Sequence, residues 1–127
     1  MQEKHLYEYA VIRVVPAVER GEFVNAGLIL FCKKQKFIRV LYSVERLRRF
    51  PFTADFDLAE AEQNLESLVQ IANGSKKGGR IAQLDVPSRF RWLTAVRSSA
   101  IQTSRPHPGM CDDLEKTTLR LFQEVVL

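Results

Sequence analysis

The sequence predicts an α+β fold: an antiparallel meander sheet of three to four strands with helices packed on one face. Two observations carry this. The first third of the chain is rich in aromatic and β-branched residues with short polar breaks, which is the pattern of successive strands. After Ser43 the apolar residues recur at three- and four-residue steps, which is the pattern of helices. With 127 residues, 46% apolar and 27% charged, the chain has the size and composition of one globular domain spanning 1–127.

"LYEYAVIRVVP" (6–16) reads as the first strand, closed by Pro16, since proline cannot continue a ladder. "AVERGE" supplies a turn at Gly21. "FVNAGLILFCK" (23–33) is the second strand and is apolar at nearly every position after Asn25, so both of its faces need cover. Helices or a second subunit could provide it, which leaves a homodimer open. Gly27 within this strand marks a bulge or the close approach of another backbone. "KFIRVLYS" (36–43) is the third strand, and the short connections favour antiparallel pairing.

"VERLRRF" suits a short helix halted by Pro51. In "DLAEAEQNLESLVQIANG" a stripe runs through Leu58, Ala61, Leu65, Leu68, Val69 and Ala72, with Asp57 and Glu60 at capping-box spacing and Asn73-Gly74 as the stop. "GSKKGGR" (74–80) reads as a basic glycine-rich loop. "VPSRFRWLTAV" begins a short helix with Pro87 in its first turn. "SAIQTS" is a candidate fourth strand. "DDLEKTTLRLFQEVVL" closes the chain as an amphipathic helix burying Leu114, Thr118, Leu121, Phe122 and Val125.

Several function classes lose support at once. No apolar run approaches the roughly 20 residues of a membrane-spanning helix. The first ten residues show no basic segment followed by an apolar one, so no signal peptide is read and a cytoplasmic location is expected. Cys32 and Cys111 do not make a disulfide framework. The charge of +4 is uneven: residues 33–49 carry seven positive charges against one negative, and 55–66 hold five acids and no base. A basic run can meet phosphate or an acidic partner, although a solvated surface is the simpler account.

The residues with chemical potential form four groups. "RPHPGMCDD" brings His107, Cys111, Asp112 and Asp113 within seven positions. A zinc site needs three or four ligands at a workable spacing, and adjacent aspartates do not provide it, so no metal is expected. Asp112 with Glu115 matches the capping-box spacing, so Asp112 and Asp113 read as helix-capping residues, which leaves His107 unexplained. "GSKKGGR" lacks the order of a P-loop. "ERGEFVNAG" places Glu19, Arg20, Glu22 and Asn25 around a turn, where a polar surface or acid–base chemistry would both suit. "RFRWLTAVRSS" puts Arg89, Arg91, Trp92 and Arg97 close together, able to stack on and hold a nucleobase or phosphate, or to edge the core.

"YEYAVIRVVPAVERGEFVNAGLILFC" and "RFRWLTAVRSSAIQTSRPHPGMCDD", with the closing helix, resemble the bacterial domain-of-unknown-function family 3037, from about Tyr7 to Val126. Its pattern corresponds here to Arg13, Glu19, Arg20, Glu22, Asn25 and Gly27 at the front. At the back it corresponds to Arg89, Phe90, Trp92, Leu93, Arg97, Ser98, His107, Gly109 and Asp112, while Cys111 departs from it. The resemblance implies no established activity and no cofactor. It implies an accessory role beside a kinase-like protein of the HipA type.

The leading expectation is a non-enzymatic binding module for a protein partner. Its candidate cluster is Arg13, Glu19, Glu22, Asn25, Arg89, Trp92, Arg97, Ser98 and His107. The alternatives are nucleic-acid or nucleotide binding through 89–97 and the basic 33–49 run, and an enzyme whose polar site joins the 19–27 and 89–112 motifs in space.

Overall fold

A computed structural model describes residues 4–16, 21–52, 56–95 and 100–127. Strand β1 (His5–Val14) is central, with β2 (Val24–Cys32) antiparallel on one side and β3 (Phe37–Tyr42) beyond it. Then come α1 (Val44–Arg49), α2 (Leu58–Ala72), α3 (Gly79–Ala82) and α4 (Val86–Leu93). The chain returns through β4 (Ile101–Thr103) and β5 (His107–Cys111) and ends in α5 (Leu114–Val125). The sheet order is β3-β2-β1, with β4 and β5 both on the outer edge of β1. The α+β class, the meander of the first three strands and the antiparallel pairing are as the sequence predicts.

Strand number and helix placement differ from expectation. The sheet has five strands, not three or four. Helices lie on both faces, not one. On the first face Ile12, Val14, Ile29 and Phe31 pack with Leu65, Leu68, Phe90 and Leu93 from α2 and α4. On the second, Tyr7, Leu28, Leu30 and Cys32 pack with Leu114 and Leu121 of α5. The reason lies in β2, buried at every position except the half-buried Asn25. A strand apolar on both sides needs a layer on each, and the last helix supplies the second layer.

Both neighbours of β1 carry an extra residue at about the same level. On the β2 side the register slips between Ile12, opposite Gly27, and Arg13, opposite Asn25, which leaves Ala26 as the bulge. The apolar set then changes parity: Val24 and Ala26 face the α2 side, followed by Ile29 and Phe31. A Cβ on Gly27 would lie 2.6 Å from the Leu41 carbonyl oxygen, so close approach and bulge coincide at this glycine.

On the other side β4 and β5 are one interrupted strand. Both run antiparallel to β1, with Val14 opposite Ile101 and Tyr9 opposite His107, and the register slips by one residue across 104–106. Ser104 spans the break. Its Oγ accepts from the buried Val11 N–H at 2.9 Å, and its own N–H donates to the Val11 carbonyl at 2.9 Å.

The "GSKKGGR" segment is more ordered than a solvated loop. Ser75 Oγ accepts from the Lys77 N–H, residues Lys76–Gly78 form a 3-10 turn, and α3 follows. A Cβ on Gly78 would meet the Gln70 backbone at 3.1 Å, so the turn lies directly against α2.

Two substitutions test this frame. Gly27→Ala should lower unfolding stability by about 2–3 kcal/mol, because the contact is with backbone that cannot move alone. Ser104→Ala should cost about 1–3 kcal/mol by leaving the Val11 N–H buried and unpaired. Urea unfolding midpoints check both, and a cost near zero for Ser104→Ala would mean another group meets Val11.

Candidate functional site

The candidate residues separate across the sheet. Arg13 and Asn25 are cross-strand partners, so their side chains share the α5 face, and Gln102 joins the row as the partner of Arg13 on β4. The bulge at Ala26 sets this arrangement, because it turns Asn25 onto the same face as Arg13. Asn25 Nδ2 donates to the Val125 carbonyl at 3.1 Å, tying β2 to the end of α5. The Arg13 guanidinium lies over the Phe23 ring, 4.5 Å from its centroid. Among the described residues, Arg13 Nε and Asn25 Oδ1 are buried without a hydrogen-bond partner. Glu22 is exposed just before β2.

His107 opens β5 opposite Tyr9, and the two rings tilt against each other at 5.3 Å. It shares the α5 face with Arg13 but lies level with a residue four positions away on β1, roughly 13 Å along the strand. Glu19, Arg97 and Ser98, with Arg20, lie outside the described residues. The union of the 19–27 and 89–112 motifs is therefore met only in part. Arg13, Asn25 and Gln102 come together, and His107 stands apart from them.

Arg89 and Trp92 belong to α4 and lie on the opposite face, with the α2 core. Asp85 caps α4 by accepting from the Ser88 N–H at 2.9 Å, which sets the phase of the helix. Phe90 then stacks on Phe31 at 4.5 Å, and Arg89 points to the C-terminal end of α2. Its Nη1 donates to the carbonyls of Ala72 at 2.9 Å and Ile71 at 3.4 Å. A cation at that position meets the last carbonyls of the helix, where the macrodipole is negative. Arg89 is thereby committed to the fold and not presented to a ligand. Trp92, 36% exposed, borders an apolar hollow of about 320 Å3 with Asn64, Leu68, Ile71 and Ile101.

The 107–113 cluster also comes apart. Cys111 is buried in the α5 core, and Cys32 lies in the same core as a second free thiol. Of the two aspartates read as caps, Asp113 fills that role: its carboxylate accepts from the Lys116 N–H at 3.0 Å. Asp112 pairs with Lys4 at 3.0 Å. Among the described residues no three His, Cys, Asp or Glu side chains gather as a metal site. Among the described residues no helix is long and apolar enough to cross a membrane.

The basic 33–49 run is divided by the fold. Lys33, Lys34 and Lys36 form the turn between β2 and β3, while Arg46, Arg48 and Arg49 sit on α1 at the far end of β3. Six strand residues separate them, roughly 20 Å. Arg39, between them, pairs with Glu115 at 2.7 Å, and Arg48 and Arg49 lie near Glu62 and Glu45.

A surface that sequence reasoning did not single out stands at the other end of β1. Leu6 and Met110 are cross-strand partners and each is 63% exposed. They share a face with Pro108, above Phe31, and Leu6, Pro108, Phe31, Glu8 and Lys33 line a shallow hollow of about 250 Å3. The alternation in "LYEY" shows which residues share a face, but not whether a helix covers it. On this face the helices stop short of Leu6.

Two measurements follow. Arg89→Ala should destabilise by about 2 kcal/mol through the lost bonds to the α2 carbonyls, with Arg89→Lys recovering part of it. The hydrogen bonds from the Ser88 hydroxyl and then its backbone N–H hold the Asp85 carboxyl below the ordinary carboxylate range. A depressed carboxyl contributes stability at neutral pH and loses it as pH falls through the folded value. The stability gap between wild type and Asp85→Ala should therefore close in acid, and a gap independent of pH would contradict this cap.

No curated protein and no solved structure matches the chain. A family described as "Protein of unknown function (DUF3037)" matches residues 9–126, from Tyr9 in β1 to Val126 at the end of α5. That span takes in every strand and helix, with the loss of only the first few residues of β1. The chain therefore belongs to the DUF3037 family of proteins of unknown function.

Proposed function

We propose that this protein is a non-enzymatic binding module for a protein partner, acting as an accessory subunit in the cytoplasm, and that the partner docks on the Leu6–Met110 end of the sheet. One observation supports the reading above the others: two large apolar side chains sit side by side on adjacent strands, each 63% exposed. Scattered exposed apolar residues are ordinary, whereas a contiguous pair beside an apolar hollow has the makeup of an interface core. Met110 adds an adaptable side chain of the kind favoured at binding surfaces. Completing the burial of both is worth roughly 1–2 kcal/mol each.

The first partner to test is the HipA-type kinase-like protein that the family resemblance implies. In calorimetric titration of the two purified proteins, Leu6→Glu and Met110→Glu should each weaken binding about tenfold or more. Trp92→Ala, on the same face but toward the far end of β1 beside Ile101, should leave it unchanged. Far-UV circular dichroism should stay as in wild type. Equal affinity for Leu6→Glu and wild type would end the assignment of this surface.

Nucleic-acid binding has less behind it. The fold divides its basic run between two ends of the sheet and commits Arg89 to α2, which leaves Arg91 and Trp92. Its test is salt-dependent retention on DNA or RNA.

A further inference from the structure

We infer that the partner presents an extended, acidic and apolar segment that adds to the free edge of β5 as a further strand. The inference rests on the docking surface just proposed and names what occupies it.

The argument starts from Pro108, paired with Glu8 across the β1–β5 ladder. In an antiparallel pair, residues alternate between those that exchange both N–H···O bonds and those whose backbone groups point away from the partner strand. Proline has no N–H, so the Glu8–Pro108 pair belongs to the second kind. The neighbouring pairs Tyr7–Gly109 and Tyr9–His107 then hold the ladder together, and Leu6–Met110 again faces away. The Met110 N–H, the Met110 carbonyl and the Pro108 carbonyl are thus directed outward from the sheet. Among the described residues no backbone bond meets them. β5 is an edge with one full donor–acceptor pair at Met110, flanked by a position that can only accept.

Side chains set the character of the added strand. A residue bonded to Met110 would place its side chain on the Leu6–Met110 face and extend that apolar row by one strand. Its neighbours would turn to the opposite face, where exposed His107 stands, with exposed Arg105 just before β5. Lys33 and Lys36 lie at the turn near Leu6, and Lys4 precedes β1. Three acids lie nearby: Asp112, held by Lys4, Asp113, which caps α5, and Glu8, which shares the hollow with Lys33. The border is basic on balance, so an alternating apolar and acidic segment fits it, and a second copy of this positively charged chain fits it less well.

The geometry also provides a clean variant. The Met110 N–H makes no bond to β1, so Met110→Pro removes the outward donor and leaves the ladder intact, as Pro108 already does. Met110→Leu keeps the donor and an apolar side chain.

The probe is a fluorescent, N-acetylated decapeptide of alternating valine and glutamate, with a valine–lysine peptide as its counterpart. By anisotropy, the glutamate peptide should bind about tenfold or more tightly than the lysine peptide, a gap that narrows with salt. Met110→Pro should weaken it about tenfold or more and Met110→Leu by less than about threefold. Exchange of the Met110 amide, followed by NMR, should slow on binding. The inference is overturned by any of three results: no glutamate-peptide binding at millimolar concentration, equal binding by Met110→Pro and wild type, or a free protein that sediments as a dimer with Met110 already protected. With the whole partner, loss of binding in Leu6→Glu but not in Met110→Pro would keep the docking surface and remove strand addition. Wild-type binding in both variants would remove the two together.

Discussion

Strand β1 runs ten residues through the middle of the sheet, and every backbone N–H and C=O along its two edges must be met. One edge is met by β2 over most of its length. The other is met by β4, Ser104 and β5 in succession. Most of the remaining architecture follows from this demand. The chain leaves the sheet after β3, builds the four helices α1 to α4 on one face, and returns to the open edge of β1 before placing the last helix on the other face.

The two bulges are the means by which β1 is shared. Ala26 on one side and residues 104–106 on the other each add a residue beside β1, and each changes which side chains face which core. Without the first, Asn25 would face away from Arg13 and α5. Without the second, Pro108 would take a place in the ladder that requires a donor, and β5 could not form as it does. The polar row at one end of β1 and the apolar edge at the other are both products of these slips. They lie at opposite ends of one strand, and their roles differ accordingly: Asn25 ties β2 to α5, while Leu6 and Met110 are left to solvent.

Much of the fold was legible in the sequence. The three front strands, the capped α2 stripe, the start of α4 near Pro87 and the amphipathic last helix are local patterns, and local patterns survive folding when tertiary packing agrees with them. Gly27 announced its bulge because glycine within an apolar strand needs a steric reason. β5 was not legible. "HPGMC" carries proline and glycine at its centre and reads as a loop, yet an edge strand tolerates Pro108 where no ladder donor is required, and Gly109 makes room for the Tyr7 ring. Of the two adjacent aspartates read as caps, Asp113 fills that role while Asp112 pairs with Lys4, a contact distant in sequence that no local pattern announces.

The candidate site was legible only as an inventory of residue types. By itself the sequence determined the α+β class, the demand of β2 for cover on both faces, and the amphipathic helix able to provide it, because hydrophobic period and turn chemistry are properties of neighbours along the chain. Only the tertiary structure decided that Arg89 bonds the end of α2 while Asn25 bonds the end of α5, and that Leu6 and Met110 stand uncovered. Those outcomes depend on register and on where a helix stops. Both are set by contacts between residues distant in the chain, from 17 positions for Arg89 and Ala72 to 100 for Asn25 and Val125, for which no local pattern carries a signal.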